Sequence, residues 1–563
     1  MKKINYILVT VLALAALVSC VKDLNTLPLN DYDTTSEDAY VDQASYLSGL
    51  AYINAYYNFV SQNSAGNSDL SFDDAGQSEL IRQWLVMNDL PTKSQDIGWG
   101  DSYITDITNH TWTNADNNAI IAVYTRCMKG IALVNEYLLQ TTDQKLELRG
   151  HTEFKDAIAQ YRAEAKFHRA MFYYIMMDLF GNPPHALEEN IGGELPKQIK
   201  RADLFNWLEE ELLALVADDS AMPAKGAVPY PRPTKDAAKA LLARMYLNAE
   251  VYTGTARWED AKKYAKEVID NGYSLHPNYQ ELFMQDNGQT CANDEFIFAI
   301  EYDHASAQSW GGTTTLSSGA FDDPMNGILF QYLGVKDVQY VSAEKWNGYH
   351  VNPEFVAENF EINGVDADWA ARKKAIDDWN KALEKDEQAV IANIGLGYDK
   401  EKSDRRLFLL NEGEPDYKAT VSTTGWRVWK WASISSDGKV VKRGGDEDSD
   451  WKLSSADFAI FRLPEMYYIY AESDARLHGG TTSDATAVGY IKALRNRAGL
   501  STKSSLTVED ILKDKAAEYL WEGQRRQDEI RLGIFDSDKN RWIYPILESD
   551  RAANQNLEQN PGY

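Results

Sequence analysis

The chain has 563 residues and carries 85 acidic against 57 basic side chains, a formal charge of −28. That balance repels phosphate backbones and excludes nucleic acid as a partner. Three cysteines are too few for a cystine-stabilised fold, and a chain this long with no Pro/Gly/Ser linker reads as one large body with an inserted or appended lobe.

Residues 1–19 read as a lipoprotein signal. Lys2 and Lys3 precede an apolar run from Ile4 to Val18 that is too short to span a bilayer, and Ser19 stands directly before Cys20. Cys20 is therefore expected to become the lipidated N-terminus, tethering a water-exposed body to a membrane. Helices are predicted at about 118–140 and 154–180. In the second, Phe154, Ile158, Tyr161, Ala165, His168, Phe172, Ile175 and Leu179 form one stripe that Gly181 and Pro183 end. His168 lies on that apolar face and reads as a buried histidine satisfied by a partner rather than a metal ligand. Cys127 falls in the stripe Val123, Cys127, Ile131 and Val134 and reads as a buried thiol; Cys291, in a polar stretch, is expected at the surface.

Further along, Thr234 is the expected N-cap of a helix hairpin. Leu242, Ala243 and Tyr246 have tetratricopeptide spacing, and Trp258, Ala261, Ala265 and Val268 form the partner stripe. The link from Val251 to Arg257 exceeds the 34-residue consensus. A second pair runs through Tyr467, Tyr468, Ala471 and Ala475, turns at Gly479-Gly480 and returns through Ala485, Val488, Ile491 and Leu494, and a last helix is expected over about 508–532. Stacked hairpins cannot bury their faces alone, so the fold class is mainly α: a tetratricopeptide-type helical scaffold with an irregular, loop-rich lobe carrying a few short strands. The divisions are 20–274 for the N-terminal scaffold and its loops, 275–450 for the lobe, and 451–563 for the C-terminal helices.

No nucleophile triad, zinc helix, phosphate loop or paired Cys-x-x-Cys is present, and no cofactor is expected. Asp446, Asp448 and Asp450 begin a calcium-loop spacing that fails where Trp451 replaces the turn glycine and Asp457 the bidentate glutamate. The carboxylate pairs Asp73-Asp74 and Asp322-Asp323 leave open a surface glycoside hydrolase, but in a chain this acidic they read first as solvated surface. Two clusters suit binding. Asp96, Gly98, Trp99, Gly100, Asp101, Tyr103, Asn109 and Trp112 place rings beside hydrogen-bonding groups, the mixture a sugar needs for its C–H face and its hydroxyls. Tyr302, His304, Ser309, Trp310 and Gly311-Gly312 form the second, with Trp310 as a candidate exposed ring.

The ordered motifs resemble a known family. They include Cys20-Val21-Lys22-Asp23-Leu24, Gly66-Asn67-Ser68-Asp69, Asn88-Asp89-Leu90, Arg162-Ala163-Glu164, Phe180-Gly181-Asn182-Pro183 and Arg232-Pro233-Thr234. Arg462-Leu463-Pro464-Glu465, Asn496-Arg497-Ala498-Gly499, Glu522-Gly523-Gln524-Arg525-Arg526 and Gln559-Asn560-Pro561-Gly562-Tyr563 complete the series. By these the chain is similar to the SusD/RagB-like nutrient-binding outer-membrane lipoproteins of Bacteroidetes. The resemblance implies a non-catalytic protein, lipid-anchored on the outer face of the outer membrane. Its role would be to capture an oligosaccharide and close it over a SusC-like TonB-dependent transporter. For the site it implies Trp99 and Asp101 as stacking ring and polar partner, Arg82 as a sugar-reaching cation, Trp310 and Tyr302 as further aromatics, and Asp69 and Trp84 beside them. Similarity of the Cys291 and Trp310 regions to fructan-binding members points to a fructan such as levan. Peptide or another nutrient, as in RagB-like members, is the alternative cargo.

Overall fold

This computed structural model describes residues 36–62, 64–113, 117–319, 346, 348–361, 404–407, 409–411, 426–428, 430–437 and 453–563. Cys20, the 446–450 aspartates and Asp322-Asp323 lie outside the described residues.

The scaffold is a run of helices, most of them packed on a neighbour in chain order. α1 (Gln43–Ala55), α2 (Leu80–Asp89), α3 (Ser102–Asn109), α4 (Asn118–Gln140), α5 (Lys155–Phe180) and α6 (Arg201–Val216) make the first half. α7 (Lys235–Leu247) and α8 (Trp258–Ile269) form the hairpin, and α8 stacks on α9 (Leu463–Leu477), which packs on α10 (Ala485–Arg497) and α11 (Val508–Glu518). The contacts α4–α5, α5–α6, α6–α7, α7–α8 and α8–α9 make the stack continuous, so each apolar face is covered by its neighbour. Asn117 caps α4 by accepting from the amides of Ala119 and Ile120, which satisfies donors that a helix start leaves unpaired.

Thr234 does stand at the start of α7, but its side chain makes no capping bond. The first-turn Asp236 instead accepts from Asn271 Nδ2 (2.6 Å) and the Tyr273 hydroxyl (3.2 Å), tying the start of α7 to the end of α8. The long link holds an extra helical turn, Ala249–Thr253, ended by Gly254 at φ 79°. The helix expected over 508–532 is two: α11 ends at Glu518 and α12 spans Arg525–Leu532, because Trp521 (φ 59°) and Gly523 (φ 71°) turn the chain left-handed between them.

Six strands bind the lobe to the scaffold. β1 (Gln95–Ile97), β3 (Tyr349–Val351), β4 (Leu409–Asn411) and β5 (Trp426–Val428) form one antiparallel sheet in the order β1-β3-β5-β4. β2 (Phe296–Ile300) pairs antiparallel with β6 (Phe458–Arg462), across a bulge.

Buried ion pairs explain most of the family motifs. Arg462 meets Glu295 (3.1 Å), Glu518 (2.6 Å) and Glu522 (2.8 Å), and Arg497 meets Glu295 and Glu518, joining β2, β6, α10 and α11 at one point. Burial would raise the Glu518 carboxyl, but Arg497, Arg462 and Arg406 hold it down to about 2. Arg244 clamps Glu465 through two nitrogens, and Arg232 does the same to Glu164. The C-terminal motif seals the end of α5: Asn560 Nδ2 donates to the carbonyls of Phe180 (2.6 Å) and Tyr544 (2.8 Å).

Cys127 and Cys291 are both free thiols and both fully buried. Cys291 therefore departs from its expected exposure: the short helix Asn287–Thr290 leads it into the interior together with Asn287 and Glu295, and its sulfur lies 3.4 Å from the Thr290 hydroxyl. His168 is buried as expected, with Nδ1 3.1 Å from the Tyr57 hydroxyl, and burial lowers its pKa to about 3.

Candidate functional site

The described structure gathers three tryptophans from three separate segments. β1 delivers Trp99 and β3 is preceded by Trp346. The strands pair Gln95 with Val351 and Ile97 with Tyr349, and the Gly98 amide donates to the Gly348 carbonyl at 2.7 Å. Trp99 Nε1 then donates to the Trp346 carbonyl (3.1 Å), which fixes the indole plane. Trp310 lies just ahead of the helix Gly312–Gly319. Trp346 is hung from the other end of that helix by a bond from its amide to the Ser318 carbonyl (3.0 Å).

The rings form an arc. Trp310 and Trp346 have centroids 6.0 Å apart at 37°, Trp346 and Trp99 6.2 Å apart at 67°, and Trp99 and Tyr349 5.4 Å apart at 47°. Tyr349 stacks on Trp521 at 4.6 Å and 15°, so the inner end of the arc rests on the left-handed turn between α11 and α12. The three indoles are half-buried, while Tyr349 and Trp521 are interior. Glycine makes the approach possible at two places. A Cβ at Gly348 would collide with the Trp99 indole nitrogen, and one at Gly76 would stand 2.5 Å from the Trp310 carbonyl oxygen and 2.7 Å from Arg82 Nη1.

Polar groups border the arc. Arg82 on α2 places its guanidinium carbon 5.9 Å from the Trp99 ring centre and donates from Nη1 to Asp74 Oδ2 at 2.9 Å. Arg82 is 4% exposed and Asp74 is open to solvent, so the pair presents charge from a rigid base. Asp101 is half-buried at the N-cap of α3, where the helix's first turn makes no bond to its side chain. Its carboxylate stays free to accept from a ligand hydroxyl.

Other expected site residues are placed elsewhere. Trp84 is 5% exposed, set edge-on to Phe458 and pressed against Gly523, so it is a core ring. Tyr302 is 2% exposed and donates to Glu79 Oε1 at 2.6 Å, beside Ser309 Oγ at 3.1 Å; it helps hold a buried carboxylate whose pKa burial raises. Neither can offer a face to a ligand. Asp69 accepts from Arg126 (2.6 Å) and Lys129 (3.3 Å) on α4 and lines a different cleft. Trp112, 1% exposed, donates to the Tyr563 hydroxyl at 2.6 Å and serves the C-terminal seal. Sequence reasoning missed Trp346 and Tyr349. The signal was there in Trp346-Asn347-Gly348, a ring beside a glycine as in Gly98-Trp99-Gly100.

A mainly helical, tetratricopeptide-like scaffold is the fold this chain shares with solved SusD-superfamily proteins. Two family models match: "SusD family" over residues 294–541 and "Starch-binding associating with outer membrane" over residues 75–247. The chain belongs to the SusD-like family. It is 29% identical over 585 residues to the starch-binding protein SusD of Bacteroides thetaiotaomicron, covering 98% of this chain and 96% of that one. It is 25% identical over 400 residues to a SusD-like protein of Bacteroides ovatus, covering 68% and 61%. Among solved structures, a laminarin-binding SusD-like protein superposes with TM-score 0.64 at 20% identity, covering 93% of this chain and all of that one. A SusD homologue from Bacteroides thetaiotaomicron gives 0.66 at 16%, covering 94% and 98%. These superpositions share the fold.

Proposed function

We propose that this protein is a non-catalytic, lipid-anchored lipoprotein of the outer-membrane surface that binds a neutral oligosaccharide on the Trp99–Trp346–Trp310 arc. It would pass that ligand to a SusC-like TonB-dependent transporter. The arc itself carries the reading. Three half-buried indoles spaced 6.0 and 6.2 Å apart, tilted by 37° and 67°, follow a curved chain of sugar rings rather than a flat one. Each ring takes the C–H face of a sugar, while Arg82, Asp74 and Asp101 take hydroxyls that must not be buried unpaired.

Curvature favours an α-linked glucan, in keeping with the starch-binding relative that aligns along nearly the whole chain. A fructan such as levan, to which the likeness of the Cys291 and Trp310 regions points, is the competing glycan. Calorimetric titration of the full-length protein in detergent against maltoheptaose, levan oligosaccharides, laminariheptaose and a peptide mixture tests the reading. Saturable binding of maltoheptaose without product formation is the expected result. Heat from peptides alone would overturn the glycan assignment, and levan alone would overturn the glucan one.

A further inference from the structure

A second cleft opens where the C-terminal end of α1 and the segment 56–69 meet the outward face of α4. It encloses about 650 Å³ and shares no lining residue with the tryptophan arc. That volume is in the range of small-ligand sites. Tyr52 is 36% exposed, a large ring standing in solvent on an otherwise apolar-inward helix. It is braced edge-on by Phe59 (5.6 Å, 81°) and Tyr56 (6.2 Å, 63°), which stack on each other at 5.5 Å. Rings held this way leave the Tyr52 face in a fixed orientation.

Polar groups surround the ring. On α4, Lys129, Ala132, Leu133 and Glu136 fall on one face, with the small Ala132 as floor between the two charges. Asp69 is fixed by Arg126 at 2.6 Å and Lys129 at 3.3 Å, and Gln62 and Asn67 lie exposed at the rim. The charges of Asp69 and Glu136 cancel those of Arg126 and Lys129. A neutral cleft with an exposed ring, a floor without bulk and fixed donors and acceptors selects against ions and suits a neutral polyhydroxylated ring.

We infer that this cleft is a second saccharide subsite, with Tyr52 as its stacking ring and Asp69, Lys129 and Gln62 as hydroxyl partners. The inference rests on the glycan-binding reading above. The two subsites adjoin the same turn, Ala75–Ser78: Arg126 donates from Nε to the Ser78 carbonyl (2.7 Å), and Gly76 abuts Trp310 and Arg82. One polymer chain held at both points would gain by effective concentration what neither gains alone.

The test is hydrogen exchange on the full-length protein in detergent, with whichever of maltoheptaose, levan oligosaccharide or laminariheptaose binds it. Affinity electrophoresis in the corresponding polysaccharide accompanies it. Residues 52–69 and 129–136 gain protection in the wild type and in Trp99→Ala, and Tyr52→Ala abolishes that gain. Tyr52→Ala weakens polysaccharide retention by about two- to tenfold and removes what Trp99→Ala leaves. Ligand binding with no protection at 52–69 and unchanged retention of Tyr52→Ala would overturn the inference while leaving the function standing. A wild type that binds none of the three glycans would remove both.

Discussion

The Arg462 junction and the Arg82 corner use the same residue types to opposite ends. At the junction, three carboxylates saturate one guanidinium, every group is interior, and Lys430 joins the same cluster through Glu522. At the corner, Arg82 is equally buried but meets the single carboxylate of Asp74 among the described residues, and the rings beside it reach solvent. A cation whose donors are all used specifies a fold; one with donors to spare, on a rigid base beside exposed rings, is equipped to specify a ligand. Family motifs cluster at the first kind of place, which is why they identify the protein without locating its site.

The sharpest way to break this contrast is to remove the junction. Arg462→Ala takes from the buried Glu295, Glu518 and Glu522 the one cation that all three share and should cost about 3–5 kcal/mol in denaturant titration; a loss under about 1 kcal/mol would mean that the network is dispensable. Trp99→Ala should do the reverse, weakening oligosaccharide binding by at least about tenfold while the protein still unfolds in one cooperative transition.

An intermediate case is Asp89, which links the two regions by accepting the Gly523 amide at 3.0 Å below the Trp521 turn. Burial pushes its carboxyl up to about 8. A carboxyl whose folded pKa is raised stabilises below its unfolded value near 4 and loses that contribution as pH rises towards 8. Asp457 and Glu529, pushed by burial to about 7, act in the same direction. Asp89→Asn should therefore be more stable than wild type by about 1 kcal/mol or more at pH 8.5 and equal to it at pH 4. Equal stability at both pH values would place the ionised form without penalty in the fold. The smallest effect belongs to Tyr302→Phe, which removes one bond to Glu79 and should cost about 1 kcal/mol with no change in ligand affinity. A drop in affinity would return Tyr302 to the site.

Helical stripes made the scaffold legible, because the 3.6-residue period is written locally: α4 and α5 follow their apolar residues almost to the residue. The break at Trp521 was not, since the cause is a left-handed tryptophan whose ring is held by Tyr349, more than 170 positions earlier in the chain. Trp99, Arg82 and Trp310 were recognisable as candidates from ring-plus-polar composition and family likeness, and the structure brings them together. Tyr302 and Trp84 have the same composition around them, yet burial, which depends on distant packing, removes them. Trp346 lay in a stretch without periodicity, and only the pairing of β1 with β3 reveals it.

That pairing has a temporal consequence. The strand carrying Trp99 finds its partner about 250 positions downstream, so loop-closure entropy keeps the arc open until both halves of the chain have been made and have settled. The proposed binding arc is thus completed only at the end of maturation, and the number of binding sites counted in a titration would read how many molecules have finished folding.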